Sequence, residues 1–294
     1  MSPSQPRFES LQCFSPAGLH RLAWTEWGDP ANPRVLVCVH GLTRVGRDFD
    51  DLARAMADRY RVVCPDMPGR GRSDWLPDPM LYAVPTYIND VVTLLARLDA
   101  QTVHWVGTSM GGIIGMGLAS LPDTPISRLV LNDMGPVVEG ASLARIATYL
   151  GVPQRFASLA EAETYIRQVS APFGPLTDAQ WSHLTAIALR RDPQDASAWL
   201  LHYDPALAVP FRAGARPDGG YDDMPLWTFY DKVRCPTLAV RGELSDLLSR
   251  ATHVEMARRG PKAELVEIAG VGHAPTFMSA DQIEVVRNFL LRDG

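Results

Sequence analysis

The sequence predicts an α/β fold, in which a mostly parallel, eight-stranded sheet carries helices on both faces and a helical segment is inserted. Two observations predict this class. Short β-branched runs alternate with longer amphipathic segments, which is typical of parallel sheets covered by helices. The alternation stops between Pro136 and Phe229 and then resumes. A length of 294 residues is sufficient for one α/β domain with such an insert.

The predicted strands begin with an antiparallel hairpin at the edge of the sheet. Its two runs, Phe8–Phe14 and Leu19–Trp27, are joined at Pro16-Ala-Gly18. The next run, Val35–Val39, is almost wholly apolar, as expected for a strand that is buried on both faces. Five further runs complete the predicted sheet: Arg61–Cys64, Val103–Val106, Arg128–Leu131, Thr237–Val240 and Glu264–Ile268.

Segments of helical periodicity separate these strands. The first, Asp48–Arg59, places its apolar residues on one side. Four more follow in the core, at Thr86–Leu98, Met110–Leu121, Arg250–Arg259 and Ala280–Leu291. The middle region shows helical periodicity without a buried strand, at Ser142–Leu150, Leu159–Val169, Asp178–Arg190 and Ala196–His202. We therefore predict an α/β core formed by residues 1–135 and 231–294, with a helical cap at residues 136–230.

Composition and charge argue against several classes of function. The net charge is −5, from 28 basic and 33 acidic residues, and no basic stripe is visible that would suit a nucleic-acid partner. No apolar run approaches the length needed to span a membrane. The stretch Met1 to Arg7 lacks the charged and apolar regions of a secretory signal, so we expect a cytoplasmic location. None of the four cysteines has C-x-x-C spacing, which argues against a zinc or redox site.

The strongest chemical signal is the motif Gly107-Thr-Ser-Met-Gly111. It follows the predicted strand Val103–Val106 directly and precedes a predicted helix, which is the context of a nucleophilic serine on a sharp strand-to-helix turn. Small residues at both ends of the motif allow that turn, and the helix start directs backbone N–H groups at the reacting atoms. We therefore predict that Ser109 is a nucleophile.

Two backbone donors are needed to stabilise the oxyanion that forms when a serine attacks a carbonyl group. The N–H of Met110, which follows the nucleophile, is one candidate. The N–H of Leu42 is the other, because His40-Gly-Leu42 follows the strand Val35–Val39. For His40 itself we predict a structural role in the hydrogen bonding of this loop.

The predicted base and acid come from loops late in the chain. His273 lies in Gly270-Val-Gly-His-Ala-Pro275, after the last strand, and an imidazole titrates near neutral pH. The acid that orients it is predicted to be Asp246, in the loop after Thr237–Val240. Glu243 in the same loop and Asp133, after Arg128–Leu131, are the alternatives. With Asp246, the chain order is serine, aspartate, histidine.

These motifs together resemble the α/β-hydrolase superfamily, in its cap-bearing bacterial branch of serine esterases and C–C hydrolases. The matching pieces cover most of the chain: His40-Gly-Leu42, Asp66–Asp74, Gly107–Gly112, Leu129–Asp133, Gly242–Asp246 and Gly272-His273. The resemblance implies an α/β-hydrolase fold and a Ser-Asp-His triad. It also implies that Asp66–Asp74 forms a tight turn beneath the active site, in which Arg70 and Arg72 are structural.

Within this superfamily the residues favour a carboxylic ester hydrolase that uses an acyl-enzyme intermediate. A nucleophilic serine excludes the branches that use aspartate, and Ala274 stands where the C–C hydrolases usually carry tryptophan. A C–C bond hydrolase of meta-cleavage products and a ligand receptor with slow turnover remain alternatives. The expected partner is a small-molecule ester, without a metal or organic cofactor. Monomer and homodimer are both open, and Arg44 and Trp75 are candidates for substrate contact.

Overall fold

A computed structural model of the chain describes residues 5–292. Residues 1–4, which belong to the stretch used to argue against a secretory signal, and residues 293–294 lie outside that range. The strands, in chain order, are β1 (Arg7–Ser15), β2 (Gly18–Trp27), β3 (Val35–Val39), β4 (Arg61–Asp66), β5 (Val103–Thr108), β6 (Ile126–Asn132), β7 (Val137–Val138), β8 (Arg155–Phe156), β9 (Leu189–Arg191), β10 (Trp199–Leu201), β11 (Met224–Pro225), β12 (Thr237–Gly242) and β13 (Glu264–Ile268).

Eight of these strands form the main sheet, in the order β1-β2-β4-β3-β5-β6-β12-β13. The pairs β1–β2 and β2–β4 are antiparallel, and the remaining pairs are parallel. The prediction of a mostly parallel, eight-stranded sheet with an N-terminal edge hairpin is therefore confirmed. Because parallel strands end at the same edge, the loops after β3, β5, β6, β12 and β13 share one edge of the sheet.

Both faces of the central strands are covered, which explains their apolar sequences. All five residues of β3 are buried, with Val35, Val37 and Val39 in one hydrophobic cluster. Leu36 and Cys38 belong to the cluster on the opposite face. Burial of each such side chain contributes roughly 1.5–3 kcal/mol for a residue of this size, so the sheet is stabilised from both sides. The free cysteines at 13, 38 and 64 are buried, and Cys235 is partly buried.

Ten α-helices accompany the strands within residues 5–292. They are α1 (Asp50–Met56), α2 (Val84–Leu98), α3 (Met110–Ala119), α4 (Gly140–Tyr149), α5 (Leu159–Val169), α6 (Asp178–Ala188), α7 (Ala208–Ala213), α8 (Trp227–Tyr230), α9 (Arg250–Met256) and α10 (Ala280–Leu290). The five helices predicted for the core correspond to α1, α2, α3, α9 and α10, with ends that differ by a few residues. The start of the first is a 3₁₀ turn at Gly46–Phe49.

The segment between β6 and β12 adds no strand to the main sheet within the described residues. We call residues 136–230 the inserted segment. Its helices α4, α5 and α6 correspond to predicted ones, but the prediction of a helix at Ala196–His202 is wrong. Trp199–Leu201 forms β10, the centre of a small antiparallel sheet with β8 and β9. Strands of two or three residues are too short to give an alternating pattern that a sequence would reveal.

None of the helices in residues 5–292 combines the length and the apolar character needed to cross a lipid bilayer.

Candidate active site

Ser109 lies on a sharp turn between β5 and α3, as the motif predicts. Its backbone angles are φ 52° and ψ −115°, a left-handed conformation that is strained for a residue with a side chain. Both flanking glycines are required because there is no room for a side chain. A Cβ at Gly107 would collide with the Gly111 backbone, and one at Gly111 would collide with the carbonyl of Val39. The turn therefore fits only because both positions lack a side chain.

His273 lies in the loop after β13 and reaches Ser109. Its Nε2 is 3.1 Å from the Ser109 Oγ, which can donate its proton to that nitrogen. Two contacts hold the loop: the Gly270 N–H donates to the Glu243 carboxylate at 2.8 Å, and the Gly272 N–H donates to the Pro172 carbonyl at 2.6 Å. Glu243 thus holds the backbone that carries the imidazole.

The carboxylate at His273 is that of Asp133, in the loop after β6. The His273 Nδ1–H donates to the Asp133 Oδ2 at 2.7 Å. Two further groups donate to the same carboxylate, the Gly242 N–H at 2.8 Å and the Ser245 hydroxyl at 2.6 Å. Asp133 is fully buried and has a φ of 52°, a conformation that aspartate adopts more readily than most residues. Three donors therefore satisfy this buried carboxylate without solvent.

The prediction that Asp246 pairs with His273 is wrong in this structure. Asp246 forms an ion pair with Arg145 of α4, at 2.8 Å from Nε, and its side chain is 53% exposed. Its backbone carbonyl accepts from the Ser142 hydroxyl at 2.7 Å. Strand β6 lies between β5 and β12, so Asp133 at its end is directly beside the strand that carries the nucleophile. The loop after β12 lies one strand further away and contributes the hydroxyl of Ser245, which binds Asp133.

Asn132 connects the serine turn with the histidine loop. Its carbonyl accepts from the Ser109 N–H at 3.0 Å. Its side-chain amide donates to the Thr108 hydroxyl at 2.9 Å and to the Pro275 carbonyl at 2.8 Å. Residues on both sides of the Ser109–His273 contact are therefore fixed to one buried side chain at the end of β6. No sequence motif singles out Asn132 as a site residue; its place between a buried strand and Asp133 is the signal that could have indicated it.

The two predicted oxyanion donors lie on either side of the serine. Met110 begins α3, directly after Ser109. Leu42 follows Gly41, where a Cβ would be 3.6 Å from the Ser109 Cβ, so this loop lies against the nucleophile. Within residues 5–292, neither the Leu42 nor the Met110 backbone N–H donates to another protein group. Both donors are thus free to bind a ligand oxygen.

His40 has the structural role that was predicted for it. Its Nε2 accepts from the Met67 N–H at 2.9 Å, and its Nδ1–H donates to the Gly41 carbonyl at 2.7 Å. Burial lowers the pKa of His40 to about 3, and the nearby Arg70 adds to this effect. The ring is therefore neutral at physiological pH and joins the Leu42 loop to the residue after β4.

A cavity of about 340 Å³ opens above Ser109 and His273, between the sheet edge and the inserted segment. This volume is within the range of small-molecule sites. Much of its wall is apolar or aromatic: Ile146, Tyr149, Tyr165, Ile166, Phe173, Leu184, Leu201 and Tyr203. Arg145 and Asp246, paired with each other, line it as well.

The two candidates for substrate contact differ in position. Arg44 lines the cavity, where it pairs with Asp48 through two hydrogen bonds of 2.7 Å. Trp75 is not among the cavity-lining residues of the described chain. The residue is 40% exposed, and the Arg190 guanidinium stacks over its ring at 4.8 Å from the ring centre. Arg44 therefore lies where it can contact a substrate in the cavity, whereas Trp75 does not.

One group of potential metal ligands occurs in the described residues, away from this cavity. Cys13 and His20 are cross-strand partners in the hairpin, and Asp90 of α2 packs against them. The His20 Nε2 is 2.9 Å from the Asp90 Oδ2, and burial raises the pKa of the Cys13 thiol to about 12. A neutral thiol beside a bonded imidazole and carboxylate fits a packing contact between hairpin and helix.

Comparison with known proteins agrees with this architecture. The sequence profile described as "alpha/beta hydrolase fold" matches residues 34–278. A 3-hydroxybutyrate-oligomer hydrolase from Cupriavidus necator is 52% identical over 287 residues, which are 97% of this chain and 98% of that protein. A 2-(acetamidomethylene)succinate hydrolase from Mesorhizobium japonicum is 25% identical over 87% of each chain. Among solved structures, an alpha/beta hydrolase from Novosphingobium aromaticivorans superposes with a TM-score of 0.84, at 35% identity over 97% of this chain and 99% of that one.

Proposed function

Because this chain belongs to the α/β-hydrolase fold family and is a hydrolase, we propose that it cleaves carboxylic esters with Ser109 as its nucleophile. One observation carries the proposal. Ser109, His273 and Asp133 form a continuous series of hydrogen bonds, 3.1 Å and 2.7 Å long, that ends in a cavity. Each of the three groups has the neighbour that nucleophilic catalysis by serine requires.

In the first half of the reaction, the Ser109 Oγ attacks the ester carbonyl while its proton passes to the His273 Nε2. Asp133 keeps the other proton of the ring on Nδ1 and stabilises the imidazolium. The negative charge on the carbonyl oxygen is bound by the N–H groups of Leu42 and Met110. Collapse of this intermediate transfers the proton from His273 to the leaving alkoxide, which releases the alcohol and leaves an acyl group on Ser109.

Water reverses these roles in the second half. His273 takes a proton from a water molecule, whose oxygen attacks the acyl carbon. The same two backbone donors bind the second oxyanion. The bond to Ser109 then breaks, the serine regains its proton from the imidazolium, and the carboxylic acid leaves. The protein returns to its starting state, so a single ester and a single water are consumed in each turnover.

For the substrate class, we propose short linear esters of hydroxy acids. This is supported by the 52% identity, over almost the whole chain, to a 3-hydroxybutyrate-oligomer hydrolase. The cavity combines an aliphatic and aromatic wall with a small number of polar groups, which suits a chain of methyl-bearing ester units. Arg44 remains our candidate for contact with a polar end of such a substrate.

We propose that the inserted segment acts as a cap over the cavity. Its residues, from Arg145 to Tyr203, supply the wall opposite the sheet edge. Contacts of Asp246 with Ser142 and Arg145 attach α4 to the loop after β12, so the cap is held to the core beside the cavity. A cap of this kind limits access of water and selects the shape of the substrate.

The proposal is tested by incubating the purified protein with linear dimers and trimers of 3-hydroxybutyrate and with p-nitrophenyl butyrate, and by measuring the released acid over many turnovers. Sustained release from both kinds of substrate is the expected result. Ser109→Ala should reduce kcat by about 10⁴-fold or more without loss of fold, because members of a triad act as a unit. Ser120→Ala, at the other end of α3, is the matched control and should keep wild-type rates.

Each contrary outcome has a definite meaning. A single burst without sustained turnover would contradict hydrolysis and favour a receptor. Turnover of a vinylogous C–C substrate in preference to both esters would contradict the ester class. Wild-type rates in Ser109→Ala would contradict the assignment of the nucleophile.

A further inference from the structure

Arg70 is a fully buried arginine that lies directly behind the proposed oxyanion hole. It belongs to the tight turn after β4, and its side chain has no exposed surface. The Arg70 Nε–H donates to the Leu42 carbonyl at 2.7 Å. Its second terminal nitrogen is 3.3 Å from the Met110 sulfur. One guanidinium therefore contacts both residues whose backbone N–H groups would bind the oxyanion.

The contact with Leu42 fixes the orientation of that loop. The Arg44 N–H donates to the Gly41 carbonyl at 3.1 Å, so residues 41–44 form a turn with Leu42 in its second position. The Leu42 carbonyl takes no part in the hydrogen bond that closes this turn. Arg70 holds that carbonyl instead. The peptide before Leu42, which carries its N–H, is held through the Gly41 carbonyl, and Arg70 holds the peptide after it, so the Leu42 backbone is fixed on both sides.

The turn that carries Arg70 is itself attached to the inserted segment. The Gly71 N–H donates to the His202 carbonyl at 3.0 Å, and the Asp204 N–H donates to the Gly69 carbonyl at 2.7 Å. Arg70 and Tyr203 also form an isolated antiparallel bridge. The backbone that carries the guanidinium is thus held by the inserted segment, while the guanidinium itself is bound by core residues.

The charge of Arg70 is not balanced by a carboxylate. No acidic group of residues 5–292 lies within ion-pair distance of it. Its other partners are neutral: the Pro68 carbonyl at 2.6 Å and the Tyr87 hydroxyl at 2.8 Å, with the ring of Tyr82 centred 5.9 Å away. Retaining an unpaired charge in a dry site is unfavourable unless other interactions offset it.

We propose that Arg70 is a positioning residue for ester hydrolysis, which aligns the N–H groups of Leu42 and Met110 and adds a fixed positive charge behind the oxyanion. This inference rests on the proposed function. A fixed charge in a water-excluded site stabilises negative charge that develops nearby without any reorganisation of solvent. The effect is greatest in the tetrahedral intermediates, so it acts on kcat more than on ground-state binding.

The test uses Arg70→Met, which keeps an unbranched side chain about as long as the aliphatic part of arginine and removes the charge and the donors. The kcat and KM for p-nitrophenyl butyrate are measured per active site, counted by complete labelling with a fluorophosphonate. We expect kcat to fall about tenfold or more, with KM within about threefold of wild type, as for loss of part of an oxyanion site. The Ki of an aliphatic trifluoromethyl ketone, which forms a tetrahedral oxyanion on the serine, should rise in parallel.

Arg72→Met is the matched control, because Arg72 lies in the same turn but is exposed and stacks on Phe8. It should leave kcat and Ki unchanged. Arg70→Lys keeps the charge but cannot reach all partners of the guanidinium fork, so its kcat and Ki should lie between those of wild type and Arg70→Met. If Arg70→Met fails to fold, Arg70→Lys decides the question with the same two measurements.

The inference is overturned if kcat per active site of Arg70→Met stays within about threefold of wild type, since loss of one oxyanion donor costs roughly 10²–10³. It is also overturned if kcat falls while the Ki of the ketone does not change, since a merely structural role would do that. Absence of ester turnover in the wild-type protein would contradict the proposed function and is a separate result.

Discussion

Two loops at the same edge of the sheet each carry an aspartate, and their environments are opposite. The loop after β6 holds Asp133, which is fully buried and accepts from His273, Gly242 and Ser245. The loop after β12 holds Asp246, whose side chain is 53% exposed and pairs with Arg145. Both residues follow a parallel strand, and both precede His273 in the chain. Hydrogen-bond donors and burial, rather than position in the chain, therefore decide which carboxylate orients the imidazole.

The difference also assigns a separate role to each loop. Asp133 joins the histidine to the core, whereas Asp246 joins the core to α4 of the inserted segment through Ser142 and Arg145. The loop after β12 serves the buried carboxylate as well, through Ser245. Chemistry at Ser109 and attachment of the proposed cap are thus divided between neighbouring strands, and substitutions in the two loops should have different kinetic effects.

Among substitutions in these two loops, the largest effect is expected from Asp133→Asn. An amide at this position would present its NH₂ group to the Nδ1 of His273, which favours the tautomer with the ring proton on Nε2. A protonated Nε2 cannot accept the proton of Ser109. We expect kcat for p-nitrophenyl butyrate to fall about 10³- to 10⁴-fold. Circular dichroism checks that the fold is kept. A loss of less than tenfold in a folded variant would show that an acid other than Asp133 orients His273.

The difference between the two loops shows which features of the fold and of the site could be predicted from the sequence. Each buried strand and each amphipathic helix shows its pattern within a short stretch of sequence. The strands of the sheet, the core helices and their order along the chain were therefore predictable. The choice of acid is tertiary: it depends on the left-handed backbone of Asp133 and on donors at Gly242 and Ser245, more than a hundred residues away in the chain. Asp246 satisfied the expected chain order, and order alone does not determine which carboxylate is buried.

The inserted segment shows the same limit on a smaller scale. Three of the four helices predicted there are present as α4, α5 and α6, and each is long enough to display an apolar face. Strand β10, with the three residues Trp199–Leu201, is formed by pairing with β8 and β9. Such pairing brings together residues from distant parts of the segment, and no periodicity within three residues can indicate it.

A smaller effect is expected from Ser245→Ala. The hydroxyl of Ser245 donates to the Asp133 Oδ2 at 2.6 Å and so helps to hold the carboxylate toward His273. A hydrogen bond to a charged group is worth roughly 1.5–3 kcal/mol, so kcat should fall by about 10- to 150-fold. Ser245→Thr keeps the hydroxyl and should recover most of the rate. Equal rates in wild type and Ser245→Ala would show that Asp133 does not depend on this loop.

The smallest effect on the chemical step is expected from Asp246→Asn. The Asp246 side chain is half exposed and contacts Arg145, and exposed ion pairs contribute roughly 0–1 kcal/mol. We expect kcat to stay within about threefold of wild type and KM to change by at most about fivefold. Arg145→Met should give the same result, because it breaks the same pair. A fall in kcat comparable to that of Asp133→Asn would reverse the comparison between the two loops.

The hydrogen bond by which Asp133 holds the His273 ring can be observed by proton NMR. A proton shared between an imidazole Nδ1 and a buried carboxylate resonates far downfield of the amide protons. We predict that this resonance is present in wild type, retained in Asp246→Asn and lost in Asp133→Asn. Loss of the signal in Asp246→Asn together with its retention in Asp133→Asn would contradict the account.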